Sequence, residues 1–297
     1  MNLIQEANVP ALMRRPWFLR GLNRSWGALL IAALFVAVYF RVLSKLVIDW
    51  WQIPDFSHGF LVLPFSAYVL WRKRANLLRI ERAPSWGGVT LIAAGLAVLL
   101  LGVFGSELFL SRVSLVMVLF GLVLAFGGRK LLSEMRFALL VLLLAVPIPA
   151  IIFAKITLPL QMLASKLASG LLPLFGVPVL REGNIIQLPA MSLEVAEACS
   201  GIRSLMSLFT LAIVYGYFLE RSTWRRVVLT LASVPIAIAA NAIRILGTGL
   251  CVQYWDPEKA MGFFHEFQGG VVFLVSLVCL IAFDRILSLF PLKRRPA

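Results

Sequence analysis

Long apolar runs, cut at short intervals by polar clusters, dominate the chain. Runs close to the twenty residues or so that a hydrocarbon core of about 30 Å requires lie at 27–48, 87–105, 108–126, 137–154, 200–219, 227–250 and 269–290, with a shorter one at 57–72. In lipid every backbone N–H and C=O must be paired within its own segment, so these runs are expected to be helices rather than strands. Residues 155–176 are apolar but broken by Pro159, Lys166, Gly170 and Pro173. The stretch that follows, GVPVLREGNIIQLPAMSLEVAEA, has a turn signal in REGN with flanks that partly alternate, and predicts a β-hairpin. No internal repeat stands out. The pattern predicts an all-α polytopic membrane protein of about eight transmembrane helices, with a small extracytoplasmic hairpin before the sixth span. It reads as one integral-membrane domain: an arm at 1–26, spans over 27–154, an interfacial helix and hairpin at 155–198, further spans over 199–290 and a tail at 291–297.

Composition sharpens this. Sixty-one per cent of the 297 residues are apolar and 14% are charged, against about 45–50% and about 25% in soluble domains. A water-soluble globule is thereby excluded. The formal charge is +14, from 28 Lys and Arg against 14 Asp and Glu. On a soluble chain such an excess would suggest nucleic acid. Here it falls in alternate loops: Arg14, Arg15, Arg20 and Arg24; then Arg72, Lys73, Arg74, Arg79 and Arg82; Arg129, Lys130 and Arg136; Arg221, Arg225 and Arg226; and Lys293, Arg294 and Arg295. The positive-inside rule then places both termini in the cytoplasm, and no nucleic-acid partner is expected. The first apolar run is too long for a signal peptide's core and reads as an uncleaved anchor. The same rule favours an interfacial or re-entrant helix at 155–176, because a full crossing would invert every later loop. Acidic residues such as Asp49, Asp55, Glu107 and Glu194 mostly fall on the opposite face, where Trp50 and Trp51 suit an interfacial belt.

Reactive side chains are scarce, with three cysteines and two histidines. Cys199 stands in EACSGIRS, where the hairpin meets the sixth span. A helix N-terminus there would stabilise a thiolate. Arg203 lies one turn on and adds positive charge, while Ser200 and Gly201 leave room for a substrate backbone. The plainer reading of Cys199 is a compact packing residue, or one half of a disulfide with Cys251, which an oxidising compartment would permit. Arg244, in NAIRILGTG, is costly inside a membrane segment and should face the protein interior. Asn241, one turn deeper, extends the same polar face. The competing reading is an arginine that reaches the headgroups. His265, in FFHEFQGG, is a candidate general base, or an ordinary interfacial histidine. His265-Glu266 is followed at position 269 by Gly269, so a H-E-x-x-H zinc site is not formed; neither metal nor cofactor is expected. Cys199, Arg244 and His265 belong to different elements, yet the loop charges put all three at one face. A nucleophile, a base and an oxyanion donor are the parts acyl transfer needs. His58, at the start of the second run, lies at the same face three residues after Asp55, with which it can pair. It reads as a structural or substrate-site residue.

At these residues the chain resembles the exosortase/archaeosortase family. The resemblance rests on ACSGIRS at Ala198–Ser204, on N-x-x-R at Asn241–Arg244 and on His265 followed by Gly269 before a final span. DFSHGFLVLP at Asp55–Pro64 and VPIP at Val146–Pro149 are also similar, and the likeness covers about residues 45 to 290. It implies an integral-membrane cysteine peptidase or transpeptidase with Cys199, Arg244 and His265 as its catalytic residues. It further implies substrates that are membrane-anchored exported proteins with a C-terminal sorting tail: a short motif such as Pro-Glu-Pro, one membrane helix and a basic cluster. The implied setting is a bacterial inner membrane, with the active site extracytoplasmic and a frequent tie to exopolysaccharide production. Two other readings compete. A transporter or flippase would need charges deep in the spans, whereas Arg41, Lys45, Arg203, Arg244, Asp284 and Arg285 mostly fall near span ends. A non-catalytic component of polysaccharide export would not need Cys199.

Overall fold

The computed structural model describes residues 24–195, 201–219, 222–255 and 263–289, and of 24–25 and 263–268 the backbone alone. The N-terminal arm, the basic tail, Arg221, Cys199 and Ser200 lie outside the described residues. Nine α-helices are present among them: α1 (Arg24–Gln52), α2 (Gly59–Arg72), α3 (Arg74–Arg79), α4 (Trp86–Phe104), α5 (Leu108–Val141), α6 (Ala150–Leu171), α7 (Ile202–Leu219), α8 (Thr223–Tyr254) and α9 (Phe263–Leu289). Among the described residues seven stretches are long and apolar enough to cross a membrane: Trp26–Gln52, Trp86–Phe104, Leu108–Ala145, Ala150–Phe175, Ile202–Leu219, Thr223–Tyr254 and Gly269–Leu289. The all-α polytopic architecture is therefore present, with some boundaries redrawn.

The second run, expected to be short, forms 14 helical residues. Two differences have local causes. The runs at 108–126 and 137–154 are not cut where hydropathy cuts them. Helix runs from Leu108 through to Val141 with a sharp bend at Gly128, whose φ of 83° and ψ of −177° suit glycine alone. Nor does the helix reach 154. It ends in a 3-10 turn at Leu142–Ala145, and α6 begins at Ala150. Pro147 and Pro149 account for this break: each lacks an N–H, and each pushes the residue before it out of helical geometry.

The chain divides into two compact units. The first holds the described residues up to Asp49 together with Leu63–Val146. Its centre is the α4–α5 hairpin. Gly88, Gly95 and Gly102 recur every seven residues on α4, and Ala125, Val118 and Ser111 recur every seven on α5 in reverse order. A Cβ on each glycine would strike the facing residue, so the two backbones approach as closely as their atoms allow. Tyr39 of α1 packs into the same cluster, and its hydroxyl lies 3.1 Å from Ser114 Oγ. α2 runs antiparallel to the second half of α5: Ser66 Oγ donates to the Ala138 carbonyl (2.9 Å) and Lys73 Nζ to Glu134 (3.0 Å). Arg112 is buried and paired with Asp49, which also meets Lys45 at 3.3 Å. That pairing explains an arginine outside the basic loops, since a buried cation needs an acid beside it.

The second unit holds Trp50–Val62 and the described residues from Pro147 onwards. Trp50 is a packing residue rather than part of an interfacial belt. It is 2% exposed, closes over Gly59 and makes an edge contact with Phe60. Trp51, at 82%, is free to meet lipid headgroups. The expected hairpin is present and gains a strand. β1 (Leu180–Glu182), β2 (Ile185–Gln187) and β3 (Ser192–Glu194) form an antiparallel sheet in that order. Gly183, with φ 65°, takes the first central position of the two-residue turn, where a twisted hairpin favours glycine. Ile186 and Leu193 bury one face of the sheet against Ala168 of α6, Leu172 just past its end, and Ile245 and Val252 of α8.

Candidate functional site

Of the candidate site residues, His58, Gly201, Arg203, Asn241 and Arg244 are described in full, and all five belong to the second unit. The described residues on either side of Cys199 in the chain, Val195 and Gly201, are each held by hydrogen bonds. Upstream, Ser165 Oγ of α6 donates to the Gly183 carbonyl (2.9 Å), and Asn184 holds Val195 by a main-chain and a side-chain bond (2.9 and 3.2 Å). The strand that leads to Cys199 is thus tied through the hairpin turn to α6. Downstream, Gly201 opens α7. Its carbonyl accepts from the Leu205 N–H and the Ser204 hydroxyl, both at 2.9 Å. Its φ is 79°, and an added Cβ would lie 2.7 Å from Asn241 Cγ. Gly201 is therefore required twice, by its left-handed backbone and by the close approach to α8.

Asn241 is 2% exposed and packs beneath this turn. Arg244 stands about 4.5 Å further along α8, at about 1.5 Å rise per residue, and is half-buried. It does not extend freely to solvent, as a purely headgroup-seeking arginine would. The backbone of His265 lies in the first turn of α9, while its side chain lies outside the described residues. The structure accordingly brings Gly201 and Asn241 together and places Arg244 one turn away. Where Cys199 and the imidazole of His265 stand relative to them falls outside the described residues.

His58 does pair with Asp55, though not through the carboxylate. Its Nδ1 lies 3.2 Å from the Asp55 main-chain oxygen. A carbonyl only accepts, so Nδ1 is the donor in this bond. His58 is 4% exposed. The Asp55 carboxylate instead accepts from Arg203 Nε at 3.2 Å. Arg203 thus spends part of its positive field on Asp55 rather than on the start of α7. The sequence offered Asp55 only as a partner for His58; its bond to Arg203 was not foreseen. The signal for it was an arginine at a membrane-helix terminus, which calls for an acid, with Asp55 available on the matching face. Cys251 is a free thiol packed beside the α6–sheet–α8 cluster, so it is not held in a disulfide. Cys279 is also free, exposed on α9.

These features define a polytopic membrane protein in which Gly201, at the start of α7, packs on Asn241 of a neighbouring helix. The family model for transmembrane exosortases matches residues 50–282. The chain belongs to that family. No curated protein and no solved structure matches it.

Proposed function

We propose that the protein is a cysteine transpeptidase or peptidase that cleaves the C-terminal sorting signals of membrane-anchored exported proteins. The observation that carries the reading is the Gly201–Asn241 contact. It sets the helix N-terminus that follows Cys199 against α8, one turn from the half-buried Arg244, in a chain of the exosortase family. In this reading the Cys199 thiolate attacks the scissile carbonyl, with Arg244 donating to the oxyanion. The C–N bond breaks, the leaving amine takes a proton from His265, and a thioester remains on Cys199. An acceptor nucleophile or water, deprotonated by His265, then releases the new C-terminus and restores the thiol. The site faces the extracytoplasmic side of a bacterial inner membrane, with both termini inside. Substrate tails enter from the bilayer. Ser200 and Gly201 line the substrate backbone, Arg203 and Asn241 support the turn, and no metal or cofactor takes part.

The test is co-expression with a protein that carries a motif–helix–basic tail, followed by gel or mass analysis of its length. Shortening is expected with the intact protein and is expected to vanish in Cys199→Ala. His265→Ala should lower cleavage by about 10²-fold or more, the usual range for a general acid–base. His58→Ala should lower the amount of folded protein more than the rate per folded molecule. Full cleavage in His265→Ala would refute the assignment of the base. Cleavage or export that survives Cys199→Ala would favour a transporter or scaffold instead.

A further inference from the structure

α6 is 22 residues long and apolar enough to cross a membrane, yet the contacts of its two ends deny it a crossing. Its first turn meets the segment between α1 and α2, where Phe153 packs edge-on against Phe56 at 5.5 Å. Just past its C-terminal end, the Phe175 carbonyl accepts from the Tyr254 hydroxyl at the end of α8 (2.9 Å). α7 and α8 are antiparallel: Gly201 faces Asn241 at one end, and Arg226 covers Tyr217 at the other. The end of α8 therefore lies on the same side as the start of α7. The Arg203–Asp55 bond puts the start of α7 with the α1–α2 segment. Both ends of α6 thus share one side.

The surface of α6 is inverted relative to a helix on a soluble core. Its buried stripe is small and polar, with Thr157, Gln161, Ala164, Ser165 and Ala168. Its outward side is mostly apolar, with Ile156, Leu158, Leu163 and Leu167 exposed. Lys155 and Lys166 are exposed too. Eleven residues at 3.6 per turn bring these two to within about 20° of one azimuth. The helix thus has a cationic edge and an adjoining apolar edge. In a helix that spanned the bilayer, two lysines on one azimuth and three turns apart would both face acyl chains, where each is costly.

We infer that α6 is a single-leaflet helix that flanks the sheet leading to Cys199, with its Lys155–Lys166 edge on phospholipid phosphates and its apolar edge in the acyl chains of that leaflet. By the positive-inside rule, the leaflet is the one opposite the basic Arg72–Arg82 segment. The partner is the lipid surface itself. This inference rests on the fold and stands whether or not the protein is a transpeptidase.

The experiment places single cysteines in the full-length chain, in a background with Cys199, Cys251 and Cys279 replaced by serine. The positions are Lys155, Lys166, Leu163 and, as a marker of the basic side, Asn76. Membrane vesicles of known orientation are treated with a charged, impermeant maleimide or with a permeant one. Lys155→Cys and Lys166→Cys are expected to react with the impermeant reagent from one side, and Asn76→Cys from the other. Leu163→Cys should react at least tenfold more slowly with the impermeant reagent and normally with the permeant one. The inference is overturned if Lys155→Cys and Lys166→Cys label from opposite sides, label from the Asn76 side or fail to label. It is also overturned if Leu163→Cys labels as they do, because the helix would then stand in water.

Discussion

Gly201 carries more of the candidate site than its size suggests. Its φ of 79° lies where an L side chain is strained, and its Cα faces Asn241 with no room for a methyl group. Gly201→Ala would incur both penalties, each of about 1–3 kcal/mol. The expected result is a lower thermal midpoint in detergent and loss of substrate shortening. Asn241→Ala added to Gly201→Ala should recover part of the midpoint by removing the clash, while the backbone strain stays; neighbours that share a contact are not additive. Equal midpoints for the single and double variants would show that the contact is not the cause. The Arg203–Asp55 bond differs in kind. Arg203 is half exposed, and pairs of that sort contribute about 1 kcal/mol at most. Its worth is positional, joining the start of α7 to the segment that also holds His58.

At the scale of elements, close helix packing decides the first unit. A side chain at Gly95 would meet Val118 Cγ2 at 2.7 Å and Val118 N at 3.3 Å. Gly95→Leu should therefore push α4 off α5, an overpacking cost of about 1–3 kcal/mol or more, read as a lower thermal midpoint. Gly170 of α6 has nothing within 4 Å of an added Cβ. Gly170→Ala should leave the midpoint unchanged or raise it, because alanine favours a helix over glycine by about 0.5–1 kcal/mol. The opposite signs separate packing from propensity. Much of this scale was legible in the chain. The apolar runs mark most helices, and REGN marks the turn of the sheet. The heptad spacing of Gly88, Gly95 and Gly102 was visible too, but it acquires meaning only beside the matching spacing of Ser111, Val118 and Ala125. The run at 137–154 misled because hydropathy sums straight across Val146–Pro149, whereas two prolines stop the helix regardless of how apolar they are. Residue order around the site was equally legible in ACSGIRS and N-x-x-R. The Asp55–Arg203 bond was not, since it joins positions 148 residues apart, and only the fold supplies that distance.

At the scale of the whole molecule, what matters is which face the scarce thiols see. Basic residues cluster in alternate loops, and the positive-inside rule leads us to expect the start of α7 on the opposite face. The three cysteines then differ in what can reach them. Cys279 is exposed on a long apolar helix, ten positions from its last residue Leu289 and so about 15 Å from that end at 1.5 Å per residue; acyl chains would surround it. Cys251 is half-buried against packed side chains. Cys199 lies between β3 and α7 in the sequence and is expected at the membrane face. An impermeant charged thiol reagent applied to the extracytoplasmic side should therefore abolish substrate shortening, and Cys251→Ser together with Cys279→Ser should leave that sensitivity intact. Reductant should not be needed for the reaction, because Cys251 is free and cannot mask Cys199. Inactivation only from the basic side would invert the topology. Inactivation that disappears with Cys251→Ser would move the reactive thiol from the turn to α8, and with it the site.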